Sequence, residues 1–262
     1  AQDAITFQLD SGPVTVGRDG SGSVSSRADE IAGGYAVVVD LPVPASLREG
    51  DSIALDVEVT DGSTSTAWVQ GEDLGVVTLV EPLAFLDVPE TLAELTVDAE
   101  VERAWQAASS LTTGKVVEGA SGAGASVRAL WREDTLFLLA EVTDPQVDTS
   151  HEDPWQQDSV EIFVDRGNAK AGYYRVEDTQ IRVSADGELS FGTGNPGYQA
   201  SLVEAATRRT AGGLIAEVAV QLGASAGAGT FHGFDVQVNY AKPGAGRVAI
   251  RTWADPTGDA HR

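Results

Sequence analysis

The sequence predicts an all-β protein, an antiparallel, jelly-roll-like β-sandwich. Two observations predict it. Short runs of alternating apolar and polar residues recur between Gly, Asp, Ser and Pro, as in strands with one buried and one wet face. No long amphipathic helix interrupts them, and the one helical candidate, residues 101–111, is one or two turns long. Many short strands with turn signals at even spacing form sandwiches.

In chain order the expected strands begin with 35–41, 55–59 and 74–80. They continue with 127–131, 136–142, 159–165, 173–183, 214–222, 233–239 and 248–253. In the run 233–239, Phe234, Val236 and Val238 alternate with Asp235, Gln237 and Asn239, so one face is buried and one is wet. Trp131 ends an apolar alternation and Trp105 lies in the helical candidate, so both read as core.

A repeat runs through these elements. Ala32-Gly33-Gly34 and the strand after it match Ala211-Gly212-Gly213 and the strand after it. Leu55-Asp56-Val57-Glu58-Val59 matches Phe234-Asp235-Val236-Gln237-Val238, Trp68 matches Trp253, and 5–17 matches 181–192. Self-similarity of this kind sets the domain reading. Residues 1–82 are expected to be the C-terminal part of a degenerate copy, 83–92 a linker, and 93–262 a second module. Matching strand positions favour structural roles for Trp68 and Trp253.

With 262 residues and 42% hydrophobic content, the chain is long and apolar enough to bury a core. Its net charge of −23, from 40 acidic and 17 basic residues, repels nucleic acid and anionic membranes, which are excluded as partners. No apolar stretch approaches the ~20 residues of a membrane helix. There is no cysteine, hence no disulfide and no thiolate chemistry. There is no methionine, and Ala1-Gln2-Asp3-Ala4 has neither a basic nor an apolar leader region. The chain reads as a mature product or an excised piece.

The run 153–165, Asp-Pro-Trp-Gln-Gln-Asp-Ser-Val-Glu-Ile-Phe-Val-Asp, carries the chemistry. Trp155 follows a proline in a polar stretch, where an exposed stacking platform competes with a structural Trp at a strand entry. Glu161 and Arg182 alternate with apolar strand neighbours. They are either a solvated surface pair or groups that bind hydroxyls bidentately. Gln157 and Gln180 are hydrogen-bond partners with the same two readings. Asp144, Asp148, Asp158 and Asp165 supply hard oxygen ligands near loop ends, suited to calcium although no EF-hand spacing is present. Catalysis has little support. Glycoside hydrolysis needs two carboxylates, which 40 acidic residues cannot single out. His151, His232 and His261 are scattered, and no glycine-rich loop opens a helix.

From about residue 93 to 262 the chain resembles family 9 carbohydrate-binding modules. The carrying residues include Val127-Arg128-Ala129-Leu130-Trp131, the Pro154 to Asp165 block, Tyr173-Tyr174 and Gln180-Ile181-Arg182-Val183. Gly233 to Asn239 and Trp253-Ala254-Asp255-Pro256-Thr257 complete it. The resemblance implies a calcium-bearing β-sandwich without enzymatic activity, which binds cellulose and xylan chain ends and soluble sugars. It implies Trp155 as a stacking aromatic, Glu161 and Arg182 as hydroxyl binders, and Asp144 and Asp158 as calcium ligands. His261 stands where the family places a second aromatic platform, and Gly258 where a polar side chain would help binding. The family's final strand is expected to be missing, with residues 74–80 a strand of that closing kind. The implied protein is a secreted, extracellular binding region serving an attached glycoside hydrolase, an endo-1,4-β-xylanase. The alternative is a structural spacer or surface-attachment sandwich that has lost sugar affinity. A haem-binding relative would lack methionine ligation here.

Overall fold

The computed structural model describes residues 3–31, 34–48, 50–69, 74–79, 84–120 and 122–258. The chain divides into two units, Ala1–Leu83 and Ala84–Arg262.

The first unit holds β1 (Ala4–Leu9), β2 (Gly12–Gly17), β3 (Ser26–Ile31), β4 (Gly34–Val39), β5 (Ser52–Asp61), β6 (Thr64–Ala67) and β7 (Gly75–Thr78). Its main sheet runs β2-β1-β5-β6, with β7 also on β5, and β3 and β4 form a separate hairpin. The strand of the closing kind is β7, and it pairs with β5 inside the first unit.

The second unit holds β8 (Ser110–Thr112), β9 (Lys115–Glu118), β10 (Gly124–Arg132), β11 (Thr135–Thr143), β12 (Ser159–Asp165), β13 (Asp178–Ser184) and β14 (Leu189–Phe191). The short helix α1 (Pro196–Ala200), β15 (Val203–Thr210), β16 (Gly213–Gln221), β17 (Gly233–Lys242) and β18 (Gly246–Thr252) follow. Two antiparallel sheets result, β15-β16-β11-β10-β8 and β14-β13-β12-β17-β18-β9. Alternation puts Val127, Leu138, Val142, Ala216 and Val218 of the first against Val160, Ile162, Ile181, Val183, Val236 and Val238 of the second. These apolar faces bury the core of a sandwich. β9 covers the outer edge of β18, so that edge is paired rather than open.

Residues 84–92 are not a free linker. The Trp131 N–H donates to the Pro89 carbonyl (3.1 Å) and the Thr91 N–H to the Trp131 carbonyl (2.9 Å). Leu86 and Val88 pack on the core. Extended apolar residues beside a proline found a strand edge to bury against. The run 173–183 is a strand only from Asp178; residues 173–175 are irregular and 176–177 form a turn.

The far face of the β16-β11-β10 sheet is covered by a strap, residues 95–108. The strap contains a single 3-10 turn, Arg103–Ala107, with Trp105 at 1% exposure against Leu130, Leu139 and Ile215. Beneath it Glu217 is fully buried. Its Oε2 accepts from Asp98 N (3.1 Å) and Ala99 N (2.9 Å), while Oε1 has no partner among the described residues. This grip holds Ala99 at φ 61°, a left-handed conformation that costs an L-residue roughly 1–2 kcal/mol. Burial first, then the charges of Glu102 and Asp98, push the Glu217 carboxyl up to about 7. Its folded pKa lies above its unfolded one, so its contribution is present at acid pH and lost as pH rises toward 7. Glu217→Gln is therefore expected to flatten this part of the pH dependence. At pH 8 it should gain up to about 3 kcal/mol over the parent, at ~1.4 kcal/mol per pKa unit. Urea unfolding at pH 5 and 8 measures this; a variant no more stable than the parent at pH 8 would contradict it.

Candidate functional site

The outward face of the β13-β12-β17 sheet carries the polar residues that alternation removes from the core. Register sets Glu161 opposite both Arg182 and Gln237, and Ser159 opposite both Ser184 and Asn239. The Glu161 side chain is 2% exposed and pairs with the guanidinium of Arg182. Its other oxygen accepts from Gln237 Nε2 (2.5 Å) and Gln180 Nε2 (3.5 Å). The solvated-surface reading of this pair is therefore excluded. The charges are desolvated and hydrogen-bonded on several sides, as a buried pair requires.

The net extends both ways. Gln237 Nε2 also donates to Asn239 Oδ1 (3.2 Å), and Asn239 Nδ2 to Ser159 Oγ (2.9 Å). Arg182 Nη1 donates to Ser190 Oγ (3.2 Å), and Tyr174 Oη to Gln180 Oε1 (3.2 Å). Gln180 has this room because residue 192 is glycine: a Cβ there would sit 2.1 Å from Gln180 Oε1.

Trp155 lies in a single turn, Pro154–Gln156, and is 43% exposed. The guanidinium of Arg247, from β18, stacks 5.3 Å from its ring centroid, a cation–π contact. Arg247 Nη1 donates to Asn239 Oδ1 (3.5 Å), and Arg247 N donates to Gln156 Oε1 (2.8 Å). Trp155, Glu161 and Arg182 thus belong to one continuous network through Arg247, Asn239 and Gln237. Gln157 is placed differently: it is buried, and its Nε2 donates to the His151 carbonyl (2.6 Å), tying the loop to itself. His261 lies outside the described residues. Gly258 adopts φ 79°, a turn conformation that favours glycine.

Asp144 and Asp158 meet behind this loop, at 2% and 1% exposure. Asp158 Oδ1 accepts from Ala241 N (2.8 Å) and Oδ2 from Asp148 N (2.5 Å). Asp144 Oδ1 accepts from Gln146 N (2.8 Å), and its Oδ2 is buried without a partner among the described residues. Burial, then the charge of Asp144, push the Asp158 carboxyl up to about 7. Two adjacent buried carboxylates with one free oxygen fit a hard cation. No third His, Cys, Asp or Glu joins them among the described residues. Backbone carbonyls or water would have to complete the six to eight oxygens that calcium takes.

A two-sheet sandwich with an indole at the loop edge and a charged, hydrogen-bonded net on one outer face defines a ligand-binding β-sandwich module. The model of the carbohydrate family 9 binding domain-like family matches residues 97–262, and the chain belongs to that family. The matched part, residues 97–262, is a non-catalytic binding module. It is similar to the exoglucanase XynX of Acetivibrio thermocellus (34% identity over 98% of this chain and 25% of that protein). It is also similar to endo-1,4-beta-xylanase A of Thermotoga neapolitana (40% identity over 63% of this chain and 16% of that protein). The chain thus spans a quarter or less of these relatives. Among solved structures it resembles a family 9 module from Caldicellulosiruptor kristjanssonii in complex with cellotriose, at 28% identity and TM-score 0.60. That match covers 66% of this chain and 87% of the other.

Proposed function

We propose that the second unit binds the ends of β-1,4-glucan or xylan chains and holds an attached, secreted glycoside hydrolase, an endo-1,4-β-xylanase, at its polysaccharide. The observation that carries this reading is the single network joining Trp155 to Arg182. Pyranose rings present C–H faces to an indole and hydroxyls to planar charged groups. A guanidinium has five N–H donors; two of those on Arg182 meet Glu161 and Ser190, which leaves donor capacity for sugar hydroxyls. Glu161 orients Arg182 and Gln237 from below. The solved relative with cellotriose, and another with glucose, support a gluco-configured ligand. Tethering would raise the effective enzyme concentration at the substrate surface. Calcium, held by Asp144 and Asp158, would brace the loop that presents Trp155.

Calorimetric titration with cellobiose and xylobiose tests this. The chain should give saturable heat, and Trp155→Ala should weaken binding at least tenfold, in keeping with ~1–3 kcal/mol for a stacking contact. A flat titration of the folded chain would point instead to the spacer reading. The left-handed Gly258, at a position where a polar contact was expected, would fit that outcome.

A further inference from the structure

The first unit repeats a local device of the second. In β17, Asp235 Oδ1 accepts from Val236 N (2.7 Å) and Ala254 N (3.0 Å), while Trp253 N donates to the Val236 carbonyl (3.0 Å). In β5, Asp56 Oδ1 accepts from Val57 N (2.8 Å) and Val69 N (2.8 Å), while Trp68 N donates to the Val57 carbonyl (2.8 Å). Around this device the hairpins correspond: β1–β2 to β13–β14, β3–β4 to β15–β16, and β5–β6 to β17–β18.

The surroundings do not correspond. In the second unit β12 lies between β13 and β17, and β11 lies beside β16. In the first unit β1 pairs directly with β5, and β4 pairs with β3 alone among the described residues. The consequence is exposed apolar surface. Val238 is 2% exposed, but its counterpart Val59 is 42%. Trp253 packs on Phe234 with ring centroids 5.8 Å apart, whereas Trp68 is 57% exposed. Strand direction differs too. β12 is antiparallel to both neighbours, so β13 and β17 run parallel, whereas β1 and β5 are antiparallel.

We propose that the first unit is an acceptor for the first half of a second family 9 module. A segment with the pattern of β8 to β12 inserts between β1 and β5 and alongside β4, turning the β1–β2 hairpin over. The second unit supplies the argument for this occupant, because there the same strands are covered by just such a segment. The inference is independent of sugar binding.

Ile5 and Val59 are directly paired across β1 and β5, and the chain has no native cysteine. Ile5→Cys/Val59→Cys should therefore form a disulfide in the full chain under mild oxidation. A strand inserted between them would place the two positions two strand spacings apart, about 9–10 Å, beyond the ~7 Å reach of a disulfide. The test chain carries a copy of residues 97–178 ahead of Asp3. It should crosslink at least tenfold less, and its Trp68 emission, isolated by subtracting a Trp68→Phe version, should move to shorter wavelength. Residues 97–178 supplied as a separate polypeptide should bind the reduced double-cysteine chain and not the oxidised one. Equal crosslinking with and without the added segment, or equal binding of the segment to both redox forms, would overturn the proposal.

Discussion

Replacing Glu161 with Ala is expected to cost the second unit about 3–5 kcal/mol of folding free energy. This is the usual cost of removing one member of a buried ion pair. Arg182, 10% exposed at its side chain, would keep its charge without the carboxylate that compensates it. Gln237 and Gln180 would lose the oxygen that both donate to. Because the same residues are assigned to hydroxyl recognition, sugar affinity should fall at least a hundredfold at a temperature where the variant remains folded. Glu161→Gln separates the two effects. Its amide oxygen can still accept from Gln237, so the fold should suffer less than in Glu161→Ala, while the guanidinium loses its charge partner and its fixed orientation. Denaturant unfolding and calorimetry on both variants measure this. A Glu161→Ala protein with unchanged stability would mean that the pair behaves as an exposed one, worth less than about 1 kcal/mol.

Most of the long strands were legible because their alternation is strong, but the eight-residue β15 was not among those expected. The run 159–165 is β12 to the residue, and Phe234, Val236 and Val238 identify β17 by period alone. β8, β9 and β14 were not legible, since three or four residues carry too little pattern. In the site, Trp155 stood out by its polar setting, and Glu161 and Arg182 by their place in adjacent strands. Gln237, Asn239 and Arg247 were missed. Gln237 and Asn239 are written as the wet face of β17, but only the pairing of β12 with β17 brings them to Glu161 and Ser159, some 80 residues away in sequence. Arg247 follows a turn glycine and has no local signal of its contact with an indole 92 positions earlier. Trp68 misled for the converse reason. Its repeat position suggested a structural role, and its backbone keeps the hydrogen bond of its counterpart, yet the residue is 57% exposed.

On the proposal that Asp144 and Asp158 hold calcium, its removal is expected to destabilise the second unit, and most of all above neutral pH. Asp144 and Asp158 place two carboxylates side by side in an almost fully buried site, and no cationic side chain pairs with either among the described residues. Without a cation, a proton is the remaining means of relieving the repulsion. Asp158, held up to about 7, provides for that below neutrality. The sign follows: its folded pKa exceeds its unfolded value near 3.9. Its contribution to the metal-free protein is complete below pH 4 and lost as pH rises through 7. On that proposal calcium and the proton would compete for the same oxygens, so calcium should bind more tightly at pH 8 than at pH 6. At a hundred times its Kd, calcium should add about 2.7 kcal/mol, enough to raise the unfolding temperature by several degrees. Asp158→Asn should abolish this response, while the pH sensitivity owed to Glu217 persists; in Glu217→Gln the reverse should hold. Unfolding with chelator and with calcium at the two pH values measures both terms. A calcium response that survives Asp158→Asn would place the cation elsewhere in the unit.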